Sequence, residues 1–184
     1  MPIQTFDVIT GAGTLAIGFS IVALVLFRII TGPNSTIINR IRSDALFIGF
    51  FLGLAAICGS LTYSEIYHLT PCLFCWWQRI FLYPQTIIFA VALYRHGRQS
   101  AAGYDIFHYS TPMAIISSIF SIYHIFLQKG ILSSGACLQG GVSCAKIDVQ
   151  VFGFLTMPMM ALILGVGLSL LGILVLTHHH KKTA

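Results

Sequence analysis

Val151-Phe-Gly-Phe-Leu-Thr-Met-Pro-Met-Met-Ala-Leu-Ile-Leu-Gly-Val-Gly-Leu-Ser-Leu-Leu-Gly-Ile-Leu-Val-Leu-Thr177 carries no charged side chain. About 20 apolar residues in a helix cross the hydrocarbon core of a bilayer. Lipid offers no water to satisfy backbone amides, so such a run must satisfy them internally, and without barrel-like alternation it reads as a helix. Outward from it, four more apolar runs are predicted spans: roughly Ile9–Ile30, Ala45–Thr62, Trp76–Tyr94 and Thr111–Leu127. Pro84 interrupts the third and is expected to kink it, while Ser117, Ser118, Ser121 and His124 make part of the fourth polar. The whole chain agrees: of 184 residues 57% are hydrophobic and 8% charged, with a mean hydropathy of +0.88. A soluble domain carries roughly 25% charged residues. The fold class is therefore an all-α membrane protein of one domain.

The net charge of +5 does not indicate nucleic acid, because the basic residues are scattered between apolar runs instead of forming a face. They read as topology signals. Arg28, Arg40, Arg42, Arg95, Arg98, Lys181 and Lys182 all fall on one side of a five-span arrangement, leaving Lys129, Lys146 and Arg79 toward the other. By the positive-inside rule the N-terminus is outside and the C-terminus cytoplasmic. The first run is read as a retained helix, since Met1 to Ile9 has no Lys or Arg and no small-residue cleavage site follows.

With this orientation, Cys72 and Cys75 lie at the outer end of the third span, and Cys137 and Cys144 lie in the next outer loop. Both pairs are on the oxidising side, where disulfides persist. Cys72-Leu-Phe-Cys75 is a C-x-x-C, whose spacing permits a readily exchanged disulfide. It follows Pro71 and is expected to open a helix, where the positive dipole end favours a thiolate. Arg79 is four residues beyond Cys75, on the same helical face. An arginine at the centre of a span costs about 2.5–3.5 kcal/mol on insertion scales, and here it can stabilise a thiolate or a reduced quinone ring. Two other readings remain open: a zinc site shared by the two pairs, though a seven-residue spacing is loose for it, and two structural staples that only brace loops. Two neighbouring pairs also suit a relay by thiol–disulfide exchange. The Cys137–Cys144 loop, with Gly135, Gly140 and Gly141, is expected to be mobile and to face a soluble partner. No haem, flavin or dinucleotide motif is present, so a membrane quinone is the natural electron sink.

The string Pro71-Cys-Leu-Phe-Cys-Trp-Trp-Gln-Arg-Ile-Phe-Leu-Tyr-Pro84 resembles the disulfide bond formation protein B (DsbB) family, in particular its BdbC-like branch. The likeness continues through Ser121-Ile-Tyr-His-Ile-Phe-Leu-Gln128, the Cys137/Cys144 loop and Phe152-Gly-Phe-Leu-Thr-Met-Pro158, covering about residues 44 to 176. The resemblance implies a four-helix transmembrane bundle with an additional N-terminal transmembrane helix. It divides the chain into 1–43 (extra helix and cytoplasmic loop), 44–177 (thiol oxidase domain) and 178–184 (basic tail). It implies a disulfide:quinone oxidoreductase of the bacterial cell (inner) membrane. Its partner would be an extracytoplasmic thioredoxin-fold, DsbA-like thiol oxidase, and its electron acceptor a ubiquinone or menaquinone. Cys137 would take the mixed disulfide with the partner, and Cys144 would complete that pair. Cys72 would exchange with the loop pair, Cys75 would contact the quinone, and Arg79 and His124 would lie near its ring.

Two features depart from the family pattern: the first span is an addition, and only six residues separate Cys137 from Cys144. Two alternatives to this function are a vitamin K epoxide reductase-like enzyme, in which the order of C-x-x-C and loop pair is reversed, and a non-catalytic scaffold or transporter subunit braced by disulfides. Trp76 is a candidate for lining the quinone pocket, although Trp76 and Trp77 also fit an interfacial aromatic belt. Cys58 reads as a small buried hydrophobe. Glu65 and His68 are close enough in sequence to bias the motif's thiols. His178, His179 and His180 could bind metal, but beside Lys181 and Lys182 they read as a cytoplasmic anchor.

Overall fold

The computed structural model describes residues 3–32, 35–97, 101–132, 137–139 and 142–183. These form helices α1 (Ile3–Thr31), α2 (Thr36–Ser43), α3 (Ala45–Leu61), α4 (Leu73–His96), α5 (Phe107–Gln128) and α6 (Met157–Thr183). Two short antiparallel hairpins lie between α5 and α6: β1 (Leu138–Gln139) with β2 (Val142–Ser143), and β3 (Gln150–Val151) with β4 (Leu155–Thr156). Among the described residues, four helical segments are long and apolar enough to cross a membrane: Ile3–Thr31, Ala45–Ile66, Gly103–Gln128 and Met157–Thr177. The chain is a multi-pass, all-α membrane protein.

α4 is the exception in composition. Its 24 residues span about 36 Å, long enough to cross, but Gln78, Arg79, Gln85 and Thr86 lower its hydropathy. Gln78, Gln85 and Thr86 are buried, so these polar groups face neighbouring helices and not lipid, as polar residues of a bundle do. Gln85 is satisfied there: its amide donates to Phe81 O at 2.8 Å and its carbonyl accepts from Ser110 Oγ at 2.6 Å.

Small residues set how closely the helices pack, because lipid supplies no hydrophobic drive between them. A methyl group added to Gly172 of α6 would collide with Thr111 of α5, and one on Gly53 of α3 with Thr86 of α4. An added Cβ at Gly165 would lie 2.6 Å from Ser118 Oγ. The core between these helices holds Leu46, Phe89, Phe107, Leu168 and Leu171, all buried.

Several boundaries differ from the sequence reading: α1, α4 and α5 begin a few residues earlier than their apolar runs, at Ile3, Leu73 and Phe107. The last helix begins at Met157, not Val151, because Phe152 and Gly153 adopt left-handed conformations (φ 53° and 75°) that turn the β3–β4 hairpin. The segment before Ala45 is the short helix α2, not loop alone. Its Ile38 is buried and its Arg42 donates from Nε to Leu174 O at 3.2 Å. α3 continues through a π-helical turn, Thr62–Ile66, before the chain reverses at left-handed His68. Cys58 is exposed on α3, which corrects its reading as a buried residue; in a bilayer that surface faces hydrocarbon. α6 runs through His178, His179 and His180, but those side chains, with Lys181 and Lys182, lie outside the described residues.

One end of the bundle gathers α2, the start of α3, the end of α4 and the end of α6. The other holds the π turn, the start of α4, the end of α5 and both hairpins. The cysteine pairs are at this second end.

Candidate functional site

Cys72 is the N-cap of α4, with extended backbone (φ −73°, ψ 174°), and Cys75 sits in the first turn. Pro71 and left-handed His68 stop any earlier helix, so the C-x-x-C opens α4 as the sequence suggested. The two sulfurs are thiols 3.0 Å apart. Cys137 and Cys144 form a disulfide with Cα atoms 5.8 Å apart, bracketing the β1–β2 hairpin, and Cys144 N donates to Cys137 O at 3.4 Å. With those sulfurs bonded to each other, the two pairs do not make a four-thiolate metal set.

Both pairs belong to one apolar cluster, in which Cys72 (5% exposed), Cys137 (3%) and Cys144 (1%) pack with Leu127, Leu73, Phe74 and Val142. The loop disulfide is therefore packed onto the C-x-x-C; Gly135, Gly140 and Gly141, on which the expected mobility of the loop rests, lie outside the described residues.

His124 joins the two pairs. Its Nε2 is 3.6 Å from Cys72 Sγ and 3.1 Å from Cys144 O. A carbonyl oxygen can only accept, so Nε2 carries the proton in that contact. Cys72, Cys75 and His124 bring two thiol sulfurs and an imidazole nitrogen within 4.8 Å of one another. The same closeness serves thiol chemistry. A hydrogen bond from the Cys75 thiol, and secondarily the His124 ring, hold the Cys72 thiol well below the ordinary cysteine range.

The sign of that shift sets a pH dependence. A lowered thiol pKa leaves Cys72 a thiolate at neutral pH, and the anion is lost only as pH falls through the shifted value. In the reduced protein, thiolate ultraviolet absorbance will persist well below the ordinary thiol midpoint of about 8.5. His124→Ala will move the midpoint upward, and an unmoved midpoint would show that the ring does not act on the sulfur.

Arg79 stands one turn below Cys75 and is anchored across the helix interface. Nε donates to Ser60 Oγ at 2.9 Å and Nη2 to Ser60 O at 3.1 Å, at the carbonyl end of α3. Its Cζ lies 5.5 Å from the Trp76 ring centroid and 6.0 Å from that of Tyr83. Cys72, Cys75, Arg79 and His124 all line one cavity of about 270 Å³. Trp76 does not line it; it is 47% exposed and stacks on the guanidinium from outside. Glu65 and His68 are exposed and are not among the lining residues.

Sequence reasoning missed Gln78 and Tyr83. Both line the cavity, and Gln78 Nε2, Tyr83 OH, His124 Nδ1 and Gln128 Oε1 are buried without a hydrogen-bond partner among the described residues. Gln78 had a signal in the sequence: it lies three residues from Cys75 in an apolar run, and a buried amide demands a partner. The cavity is mainly apolar, with side-chain N–H donors at Gln78 and Arg79 on its lining.

The family model for disulfide bond formation protein DsbB matches residues 42–175. The chain belongs to the DsbB family. Among its relatives, the SPbeta prophage-derived disulfide bond formation protein B of Bacillus subtilis (strain 168) is 42% identical over 127 residues, covering 66% of this chain and 82% of the relative. The probable disulfide formation protein C 1 of Bacillus cereus (strain ATCC 10987 / NRS 248) is 38% identical over 120 residues, 65% of this chain and 82% of that protein. A probable disulfide formation protein of Coxiella burnetii (strain CbuK_Q154) is 29% identical over 129 residues, covering 69% and 84%. No solved structure matches the chain. As a DsbB-family member the protein is a membrane disulfide oxidoreductase, and α1 lies outside the matched residues.

Proposed function

We propose that the protein is a disulfide:quinone oxidoreductase that reoxidises an extracytoplasmic, DsbA-like thiol oxidase. Residues 44–177 would be the catalytic domain, in a bacterial cell membrane, with the N-terminus outside and the C-terminus in the cytoplasm. The observation that carries the reading is the packing of both cysteine pairs into one cluster, with the C-x-x-C opening onto an apolar cavity that Arg79 also lines. The placement of Arg28, Arg40 and Arg95 at the opposite end of the helices supports the orientation.

The electrons balance through two exchanges and one reduction. A partner dithiol attacks the Cys137–Cys144 disulfide through a mixed disulfide at Cys137, leaving as a disulfide and giving two thiols. Those thiols reduce an oxidised Cys72–Cys75 pair and re-form their own bond. The Cys72/Cys75 dithiol then gives two electrons and two protons to the quinone, a ubiquinone or menaquinone, and returns to the disulfide. Within this scheme Cys75 faces the acceptor. Arg79 supplies fixed positive charge where negative charge develops, and His124 stabilises the Cys72 thiolate and holds the Cys144 carbonyl beside it. Trp76 acts through Arg79 by its cation–π contact. A partner can reach Cys137 only when that sulfur is uncovered.

The test is anaerobic: the purified full chain with dithiothreitol and either a ubiquinone or a menaquinone analogue. One quinol should form per disulfide made. Thiol loss without quinol would overturn the reading and favour a disulfide-braced scaffold.

A further inference from the structure

The cavity has a wall that does not come from the DsbB-matched region. Thr10, Gly13, Thr14 and Ile17 of α1 line it together with Cys75 and Arg79. Of the described residues of α1, only Gly11 and Thr14 are buried, both in the part of the helix that meets the site; further along, Ile21 packs on Gly167 of α6. It is pinned there. Tyr63 OH donates to Asp7 Oδ1 at 2.8 Å and lies 2.8 Å from Thr10 Oγ1. The Phe6 and Tyr63 rings meet edge to face at 5.0 Å, and a Cβ on Gly11 would come within 2.7 Å of Val151.

Between α1 and α3 the cavity keeps open space: a side chain added at Gly13 or at Gly59, both of which line it, would meet nothing within 4 Å. Ile17 and Ala55 also line a second, wholly apolar groove of about 310 Å³, continued by Phe47, Ile48, Phe51 and Leu52 of α3. The nine residues from Phe47 to Ala55 extend roughly 12 Å along the helix. Pockets for drug-sized ligands run from about 300 to 1,000 Å³, so the cavity of about 270 Å³ takes a ring but not a ring with a long hydrocarbon chain. A chain longer than the ring must leave the cavity, and the groove adjoins it at Ile17 and Ala55, which line both.

We propose that α1 is part of the acceptor site. Gly13, Thr14 and Ile17 close the head-group cavity on one side, and the groove between α1 and α3 seats the isoprenoid chain of the quinone. This rests on the disulfide:quinone reading above. It makes the extra helix a determinant of which acceptor binds, not an aid to packing or insertion.

The experiment compares two acceptors with the same benzoquinone ring, one without a chain and one with two isoprene units, reduced by the full-length protein with dithiothreitol. Wild-type protein should show a lower KM for the chain-bearing quinone. Ala55→Phe, which fills the junction of cavity and groove, should raise the ratio of chain-bearing to chainless KM by about tenfold, since apolar burial of the chain is what is lost. Gly13→Ala should raise the KM for both quinones, and its added methyl has free space in the folded protein. It therefore reads the α1 wall even if Ala55→Phe does not fold. Ala12→Leu, on the exposed face of α1 and not lining the cavity, should leave both values unchanged. An unaltered ratio in folded Ala55→Phe would assign the groove to lipid, and an unaltered KM in Gly13→Ala would remove α1 from the site; either overturns the proposal. If the wild type reduces neither quinone, it is the disulfide:quinone reading that fails instead.

Discussion

Replacing Cys75 with serine will reduce dithiol-driven quinone reduction to the uncatalysed rate, yet each chain will still oxidise one equivalent of dithiol. The Cys137–Cys144 disulfide is intact in that variant and is separate from the lost sulfur, so a reductant can open it once. No second equivalent follows, because Cys72 alone cannot form the C-x-x-C disulfide that would restore the loop bond. A serine hydroxyl at position 75 can still donate to Cys72, so the variant removes the electron carrier while retaining a hydrogen-bond donor. The measurement is a thiol count in rapid quench beside quinol absorbance under steady state. Sustained turnover would show that Cys75 does not carry electrons, and loss of the first equivalent as well would show that the loop pair depends on it for its own exchange.

Arg79→Ala will slow quinol formation by about 100-fold, the loss seen when one preorganised donor is removed from a site of developing negative charge. That factor corresponds to about 2.7 kcal/mol of transition-state stabilisation. The guanidinium is preorganised by two bonds to Ser60, 2.9 Å and 3.1 Å, and by the Trp76 face; little of its interaction is spent on ordering a free side chain. Arg79→Lys keeps the charge but cannot reproduce the two-pronged geometry, and its rate should fall between those of wild type and alanine. The single-equivalent oxidation of dithiol by the loop pair should be unaffected in both. Equal rates of quinol formation in wild type and Arg79→Ala would place the acceptor elsewhere.

Much of this was legible in the residues themselves. The apolar runs located all five long helices. The start of α3 at Ala45 matched to the residue, since Asp44 and Arg42 end the polar stretch abruptly. Cys72 as the opening of α4 followed from Pro71 and the C-x-x-C. The family resemblance rested on the same string, and the match over 42–175 agrees with it. The boundary at Val151 was misread because hydropathy cannot distinguish an apolar hairpin from a helix; left-handed backbone at Phe152 and Gly153 decides that. Cys58 was misplaced for a related reason: within an all-apolar helix, sequence does not say which face meets lipid.

The order of charges and cysteines along the chain was enough to put the four paired cysteines at one end of a membrane bundle, because helices in lipid must be continuous and alternate in direction. Which groups touch there was decided only by packing. The contact of His124 with both pairs, the hold of Ser60 on Arg79, the exposure of Gln78 to the cavity and the approach of α1 through Gly11 all join residues far apart in sequence. Such contacts depend on the rotation of each helix about its own axis, and that angle is fixed by neighbouring side chains, not by the segment's own pattern.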